Sequence, residues 1–390
     1  MRIRTAALLN YRKSKKGMVI LVNFNPSVLR SDEKAVFELR SLYSSYGYSR
    51  YKMSKFEEYD LYVRNKEFLV SDRVITFTDT SGKLMALKPD VTLSIIRNSE
   101  DADGYVRKVY YNENVYRVSK GNGAFGEIMQ TGLECIGDID DYNIYEVLML
   151  AAESLKRVSA DYVLDVSHMG VVEYVLDSLN VSADAREKLI SCVGEKNVHE
   201  IRAVCEKEDA DSSTLEKLVT TYGSAEKVCG LLRETVPDCA CVAALEKMVS
   251  ALEKNGYAGH VNIDFSVTGN VRYYNGFVFK GFINGIASGV LSGGQYDKLM
   301  KRMNRRSRAI GFAVYLDLLE RFTDADDGYD VDTVILYGEG ADLDALCGMV
   351  KMLTDSGRSV VAQRKLPEKL RYKQLLRLQE RGVEILENNA

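Results

Sequence analysis

Between residues 74 and 137 the extended segments follow one another too closely for anything but antiparallel pairing. "VITFTDTSGKLMALKPD" (74–90) reads as two short strands around a Thr-Ser-Gly turn. "VRKVYYNENVYRV" (106–118) reads as a second hairpin, turning at Asn112–Asn114, and "EIMQTGLECIG" (127–137) as a strand running back. Parallel neighbours would need a crossover of a dozen or more residues between them. The long helical patterns lie elsewhere: "EKAVFELRSLYSSY" (33–46), with Ser31 or Asp32 as its cap, and "DYNIYEVLMLAAESLKRV" (141–158). Such segregation predicts an α+β protein, an antiparallel sheet flanked by helices, rather than a doubly wound parallel sheet.

Further on, residues 170–258 carry one helical pattern after another, which predicts a helical insertion. Strands resume at "VNIDFSV" (261–267), "VRYYNGFVFKGF" (271–282) and "GIASGVLSGG" (285–294), and a helix is expected over about 309–322. From residue 330 the order is strand, helix, strand, helix ("PEKLRYKQLLRLQERG"), strand. The organisation expected is therefore an extension over 1–25, a main domain over 26–325 holding the insertion, and a small C-terminal α/β domain over 330–390.

With 46% apolar and 28% charged residues, these domains have enough material for sizeable cores. The net charge of −4 supplies no global basic field for nucleic acid. No apolar run approaches the roughly 20 residues of a membrane helix. Met1–Gly17 is basic, yet it has only a short apolar patch and no small-residue cleavage site, so it fails as a signal peptide. It reads as a loose extension, or as sequence upstream of a start at Met18. Seven cysteines without a CxxC pair imply reduced thiols and a cytoplasmic location. Three histidines (His168, His199, His260), none at i, i+4 to another, argue against a zinc site and a Ser-His-Asp triad. No metal, cofactor or catalytic residue is expected.

Period two in "EIMQTGLECIG" puts Met129, Thr131, Leu133 and Cys135 on one face and Gln130, Gly132 and Glu134 on the other. An amide and a carboxylate thus flank a position without a side chain. The arrangement suits a small ligand carrying an ammonium or an N–H, although an ordinary solvated sheet face has the same pattern. "VRYYNGFVF" repeats it with Tyr274 beside Gly276. "SGGQYDKLM" (292–300) sets two glycines before an amide, a phenol and a carboxylate. Strands that repeatedly bare their backbone beside polar groups read as a binding floor; close packing against a helix or a partner chain is the other reading. Asp90 is placed to cap the helix "VTLSIIRN", and Arg97 and Arg117 are available to an anion.

These segments, in this order, resemble histidyl-tRNA synthetase and its non-catalytic relatives from about residue 26 to 322. "YGYSRYKMSKFEEYD" resembles the first class II synthetase motif, with Ser54 where proline is usual. "LMALKPDVTLSIIRN" is similar to the family's Leu-Arg-Pro-Glu-x-Thr segment, with Lys88 for arginine and Asp90 for glutamate. "VYR" ending at Arg117, followed by "EIMQTGLECIG", resembles the rest of the second motif. "VRYYNGFVFKGF" and "SGGQYDKLM" resemble the two histidine-specific signatures, and "AIGFAVYLDLLERF" the third motif.

The resemblance implies a class II synthetase-like fold and a pocket for histidine. Positions matching Asp90, Thr92 and Gln130 hold its α-amino group, and those matching Glu134 and Tyr274 address its imidazole. The implied binding set is Asp90, Thr92, Arg117, Gln130, Glu134, Tyr273 and Tyr274, over a floor of Gly132, Gly276, Gly293 and Gly294. The chemistry of activation is not matched. Gly269, Leu318, Gly126 and Gln295 stand where arginines are expected and Ser119 where a glutamate is, so only Arg117 survives. Each missing cation removes several kcal/mol of stabilisation from a phosphate-bearing transition state. A kept amino-acid pocket without ATP chemistry is similar to the regulatory subunits of ATP phosphoribosyltransferase. That implies activation of a short-form catalytic subunit, feedback inhibition by histidine as effector, and a dimer within a hetero-octamer. Histidine would bind the synthetase-like pocket or the subunit interface. An active or residual histidyl-tRNA synthetase and a stand-alone histidine sensor are the alternatives. Residues 361–381 carry seven basic side chains against two acidic ones, a pattern open to RNA but commoner on a solvated helix.

Overall fold

The computed structural model describes residues 29–65, 69, 73–101, 104–118, 123–269, 273–319, 329–379 and 382–389. The basic N-terminal stretch with Met18, and Ser119, lie outside these residues. The chain divides into two compact units, one spanning 30–324 and the other containing 325–390.

The larger unit begins with α1 (Ser31–Ser45), whose N-cap is Arg30 rather than Ser31 or Asp32; the Glu33 carboxylate accepts from the Arg30 backbone N–H at 3.0 Å. A two-residue β1 (Ser49–Arg50) leads to β2 (Phe56–Glu58) and α2 (Tyr59–Arg64). The expected hairpin forms β3 (Thr76–Thr78) and β4 (Leu84–Leu87), and with β2 makes a three-stranded sheet. Its turn is held by Asp79, whose Oδ1 accepts from the N–H groups of Ser81 and Lys83, both at 2.8 Å. After the six-residue α3 (Thr92–Arg97), residues 106–118 form a single strand, β5 (Val106–Val118), not a hairpin. Each of its thirteen residues pairs with β6 (Phe125–Gly137), and the Asn112–Asn114 stretch runs straight through because its backbone is held by the ladder, with Asn114 also donating to Glu127 at 2.5 Å. Glu113 accepts from buried Lys88 at 2.9 Å.

The long helix α4 (Asp141–Val158) starts at an Asp140 cap that accepts from Asn143 N–H at 3.0 Å. β7 (Tyr162–His168) precedes the insertion, which contains α5 (Met169–Ser178), α6 (Ala183–Gly194), α7 (Val198–Lys207), α8 (Ser213–Thr220), a two-residue β8 (Tyr222–Gly223), α9 (Ala225–Thr235) and α10 (Ala240–Leu252). β9 (Val261–Asp264), β10 (Phe277–Ile283) and β11 (Leu291–Gln295) are shorter than the sequence suggested. α11 (Asp297–Arg302) then leads to β12 (Arg308–Tyr315), where a helix was expected. "AIGFAVY" is apolar throughout and fits either period; pairing with β6 on one side and β11 on the other decides for strand.

Among the described residues the main sheet has nine strands in the order β1-β5-β6-β12-β11-β10-β7-β9-β8. Only β1–β5 and β7–β9 pair in parallel. One face carries Leu133, Cys135, Phe279, Ile310, Phe312 and Val314 into a core shared with α1, α4 and the insertion. Truncating such a side chain, Leu133→Ala for instance, costs about 2–5 kcal/mol. The other face meets a smaller cluster that includes Tyr111, Ile95, Tyr273, Tyr296 and Leu299.

The C-terminal unit is a four-stranded sheet, β14-β13-β15-β16, with α12 (Leu343–Asp355) between its first two strands. β13 (Val331–Leu336) pairs in parallel with β14 (Val360–Gln363) and β15 (Tyr372–Gln379), and β15 pairs antiparallel with β16 (Gly382–Asn388). The basic segment expected to be helical is thus largely a strand. Its charges are met across the sheet: Arg371 by Asp330 at 2.8 Å, Lys373 by Asp332 at 3.0 Å and Arg377 by Glu384 at 3.7 Å. A helix would have turned them to solvent; strand pairing sets them beside carboxylates.

Candidate functional site

The strand register builds the site on the second face of the main sheet. Glu134 lies opposite Gly311, which lies opposite Gly294; Gly132 lies opposite Ala313, which lies opposite Ser292. Two rows of small residues therefore cross the sheet between taller polar ones. Above them is a cavity of about 360 Å³ whose lining includes Asp90, Thr92, Arg117, Gln130, Glu134, Tyr273 and Tyr274, so the structure brings the whole sequence-derived set together.

Glu134 is the centre. It is 2% exposed, and both carboxyl oxygens are engaged. Thr92 donates to Oε1 at 2.7 Å and Tyr296 donates to Oε2. Burial nonetheless pushes its pKa up to about 8; the two hydroxyl donors oppose the rise and nearby Asp90 adds to it. Gly311 is required beneath it, because a Cβ there would overlap the carboxylate. The N-cap of α3 is Val91 rather than Asp90; Asp90, one residue earlier, still accepts from Leu93 N–H at 2.9 Å and ties down the start of the helix. Burial raises its pKa too, against the Leu93 hydrogen bond and the Arg117 charge. Arg117 donates from Nε to Pro89 O at 3.2 Å. It is the one cationic side chain lining the cavity among the described residues.

The tyrosines fix the walls. Tyr273 stands edge-on to Tyr274, with ring centroids 4.7 Å apart, and 5.6 Å from Tyr296. The Tyr274 ring is pinned by two glycines: a Cβ at Gly269 would come within 2.6 Å of it, and one at Gly294 within 2.7 Å. Gly269 also has φ +58, a conformation that side-chain-bearing residues rarely adopt. A position where the family resemblance led us to expect arginine is thus occupied by the neighbouring tyrosine. Gln295, at another such position, is buried and accepts from Phe277 N–H at 2.8 Å. Leu318 packs against the main core, and Gly126 lies opposite Arg117 in the β5–β6 register.

The glycine floor needs correction. Gly132 and Gly294 lie on the cavity face, but Gly293 points to the opposite side, where a Cβ would come within 2.7 Å of Phe279 in the main core. Gly276 makes room for the Gln295 amide rather than for a ligand. Sequence reasoning also missed Tyr111, Ser292, Gly311, Ala313, Tyr315 and the role of Tyr296 in the lining. Treating 106–118 as one strand would have placed Tyr111 on the face of Glu113. Period two over 309–315 would have put Gly311, Ala313 and Tyr315 together. Chemically, the cavity offers two acidic groups, an amide, one cation and a ring of tyrosines. That suits a zwitterion with an N–H-bearing side chain and leaves little to hold a triphosphate.

Residues 21–319 match the family model described as histidyl-tRNA synthetase. A protein of Oceanobacillus iheyensis named ATP phosphoribosyltransferase regulatory subunit is 24% identical over 362 residues, covering 88% of this chain and 89% of that one. The solved structure of an ATP phosphoribosyltransferase regulatory subunit/histidyl-tRNA synthetase from Bacillus halodurans superposes with a TM-score of 0.70 at 25% identity, over 85% of this chain and 88% of that chain. A chain of the ATP phosphoribosyl transferase complex from Thermotoga maritima shares the fold, with a TM-score of 0.58 at 20% identity, over 72% and 96%.

Proposed function

The chain belongs to the histidyl-tRNA synthetase family, and within it we propose that it is the regulatory subunit of ATP phosphoribosyltransferase, acting in the first step of histidine biosynthesis. The reading is supported by relatives that bear that name. The observation that carries it is the asymmetry of the cavity. Its amino-acid-binding groups are in place, while Gly269, Gln295 and Leu318 stand where phosphate-binding cations are needed, and Tyr274 occupies the space beside Gly269. In this reading the chain carries no catalytic residue, and catalysis belongs to a short-form partner subunit in a cytoplasmic hetero-octamer built on dimers of this chain.

Regulation then works by linkage. Histidine in the cleft shifts activity only by binding one conformation of the complex better than another. A hundredfold difference in affinity is worth about 2.7 kcal/mol, enough to turn a balanced equilibrium almost fully to one side. The test is to measure phosphoribosyl-ATP formation by a short catalytic subunit with and without this chain, and then to titrate histidine. Stimulation that histidine reverses is the expected result. No stimulation overturns the proposal, and histidyl-adenylate made by the isolated chain would identify a synthetase instead.

A further inference from the structure

We propose that the arginine-lined socket at the ends of α2 and α11 is where the partner subunit docks, through a segment that presents an apolar side chain flanked by carboxylates. This gives the catalytic subunit of the reading above a surface on this chain, and it rests on that reading.

The sequence "KRMNRRSR" (301–308) carries five basic side chains and no acidic one, in a chain of net charge −4. The structure holds this stretch in place. Asn304 takes the left-handed conformation, φ 57, and closes α11: its N–H donates to Lys301 O at 3.0 Å, and Arg305 N–H donates to Met300 O at 2.9 Å. Asp101 accepts from the N–H groups of Arg306 and Ser307 at 3.0 and 3.1 Å. The Arg305 guanidinium donates to Arg97 O at 3.2 Å, at the end of α3. Lys301, Arg302 and Arg306 are exposed on this pinned backbone. Cations on a preorganised backbone bind at less ordering cost than cations on a free loop.

Beside them is a cavity of about 550 Å³ that shares no lining residue with the cleft. Its apolar side chains are Val63, 49% exposed, and half-buried Met303; Arg64, Asn65, Arg302 and Asn304 complete the lining. An apolar centre with arginine and methionine inside a polar rim is the composition of a protein–protein interface. Carboxylates are interleaved with the cations: Glu57 accepts from Arg97 at 2.9 Å and Asp60 from Arg64 at 3.3 Å. A nucleic acid lays successive phosphates along a continuous cationic track. Here carboxylates interrupt the track and an apolar socket sits in it, which favours a protein.

The surface is also wired to the cleft. Both hydroxyl donors to Glu134 stand at the heads of helices that end here. Thr92 opens α3, which ends at Arg97; Tyr296 precedes α11, which ends at Arg302. Six residues of helix span about 9 Å. A ligand that shifts the Glu134 carboxyl thus acts on two short elements that reach the docking surface.

The test is calorimetric titration of the full chain with a short-form catalytic subunit at low and physiological salt. Arg302→Glu/Arg306→Glu should weaken association about tenfold or more and flatten its salt dependence. Lys207→Glu/Lys254→Glu, at exposed positions of the insertion, makes the same change in net charge and should leave association unaltered. The neutral pair Arg302→Gln/Arg306→Gln should lose affinity by a smaller factor with an unaltered melting midpoint. No loss in the first variant, an equal loss in the insertion variant, or a loss that follows a lowered melting midpoint overturns the assignment. Loss of polyuridylate binding with catalytic-subunit binding unaltered would make the patch a nucleic-acid surface and overturns it as well. If the unaltered chain neither binds nor stimulates the catalytic subunit, it is the regulatory-subunit reading that fails, and this surface falls with it.

Discussion

The two ends of the cleft differ although the same sheet supports both. At the Glu134 end the two carboxyl groups are buried and bonded: Thr92 and Tyr296 hold that of Glu134, and Asp90 is tied to the start of α3. At the Gly269 end small or neutral residues stand in, and the space beside the backbone is taken by the Tyr274 ring. On the proposed reading, a recognition site and a phosphate-handling site therefore separate cleanly. Recognition depends on preorganised hydrogen bonds that survive as a local network. Phosphoryl chemistry depends on several long cations converging on one point, and it is lost when their attachment points become glycine, leucine or glutamine.

The largest expected effect comes from attacking the first end. Glu134→Ala should raise the histidine concentration needed for inhibition roughly ten- to a hundredfold, the cost of leaving a buried ring nitrogen without its partner, and leave stimulation of the catalytic subunit intact. Inhibition curves of the reconstituted complex check this, and unchanged curves would break the comparison. Attacking the second end by rebuilding a cation, Gly269→Arg, should not restore adenylate formation. The new Cβ collides with Tyr274 at a positive-φ position, a strain of about 1–3 kcal/mol that a lowered melting midpoint would reveal. Pyrophosphate exchange by that variant would show that the missing charge alone separated the two ends.

A subtler probe is pH. Burial keeps the proton on Glu134 up to about pH 8 in the folded chain, against an ordinary glutamate value of about 4.5. The folded state thus binds more protons than the unfolded state between those values, so this group's contribution to stability falls as pH rises from about 4.5 to 8 and levels off above. Asp165, raised to about 6, adds a similar fall at the lower end. Urea unfolding across this range should show the decline, and Glu134→Gln should flatten it between pH 6 and 8. The smallest effect is expected in the C-terminal unit, where Arg371→Ala breaks an exposed ion pair and should barely move the unfolding midpoint.

Much of the site was legible because β-strand periodicity is local. Gln130, Gly132 and Glu134 share a face by their spacing alone, and Asp90 reads as a helix-start residue from the proline and apolar run around it. Tyr111 was hidden by a turn placed at Asn112–Asn114, where polar residues imitate a loop. Gly311, Ala313 and Tyr315 were hidden by a run of apolar residues that fits helix and strand equally. Gly293 was assigned to the floor together with Gly294, although period two puts the two on opposite faces of the strand and only one face carries the cavity.

The sequence by itself determined the α+β class, the hairpin of β3 and β4, the helical insertion and several of the cavity-lining residues, Glu134 and Gln130 among them, since these follow from short-range periodicity and capping. Only the tertiary structure decided that β12 is a strand, that β15 is a strand whose charges are paired, and that Tyr274 occupies the space beside Gly269. Those outcomes depend on which distant segments supply hydrogen-bond partners and volume, and a single stretch of chain carries no record of its neighbours across the sheet.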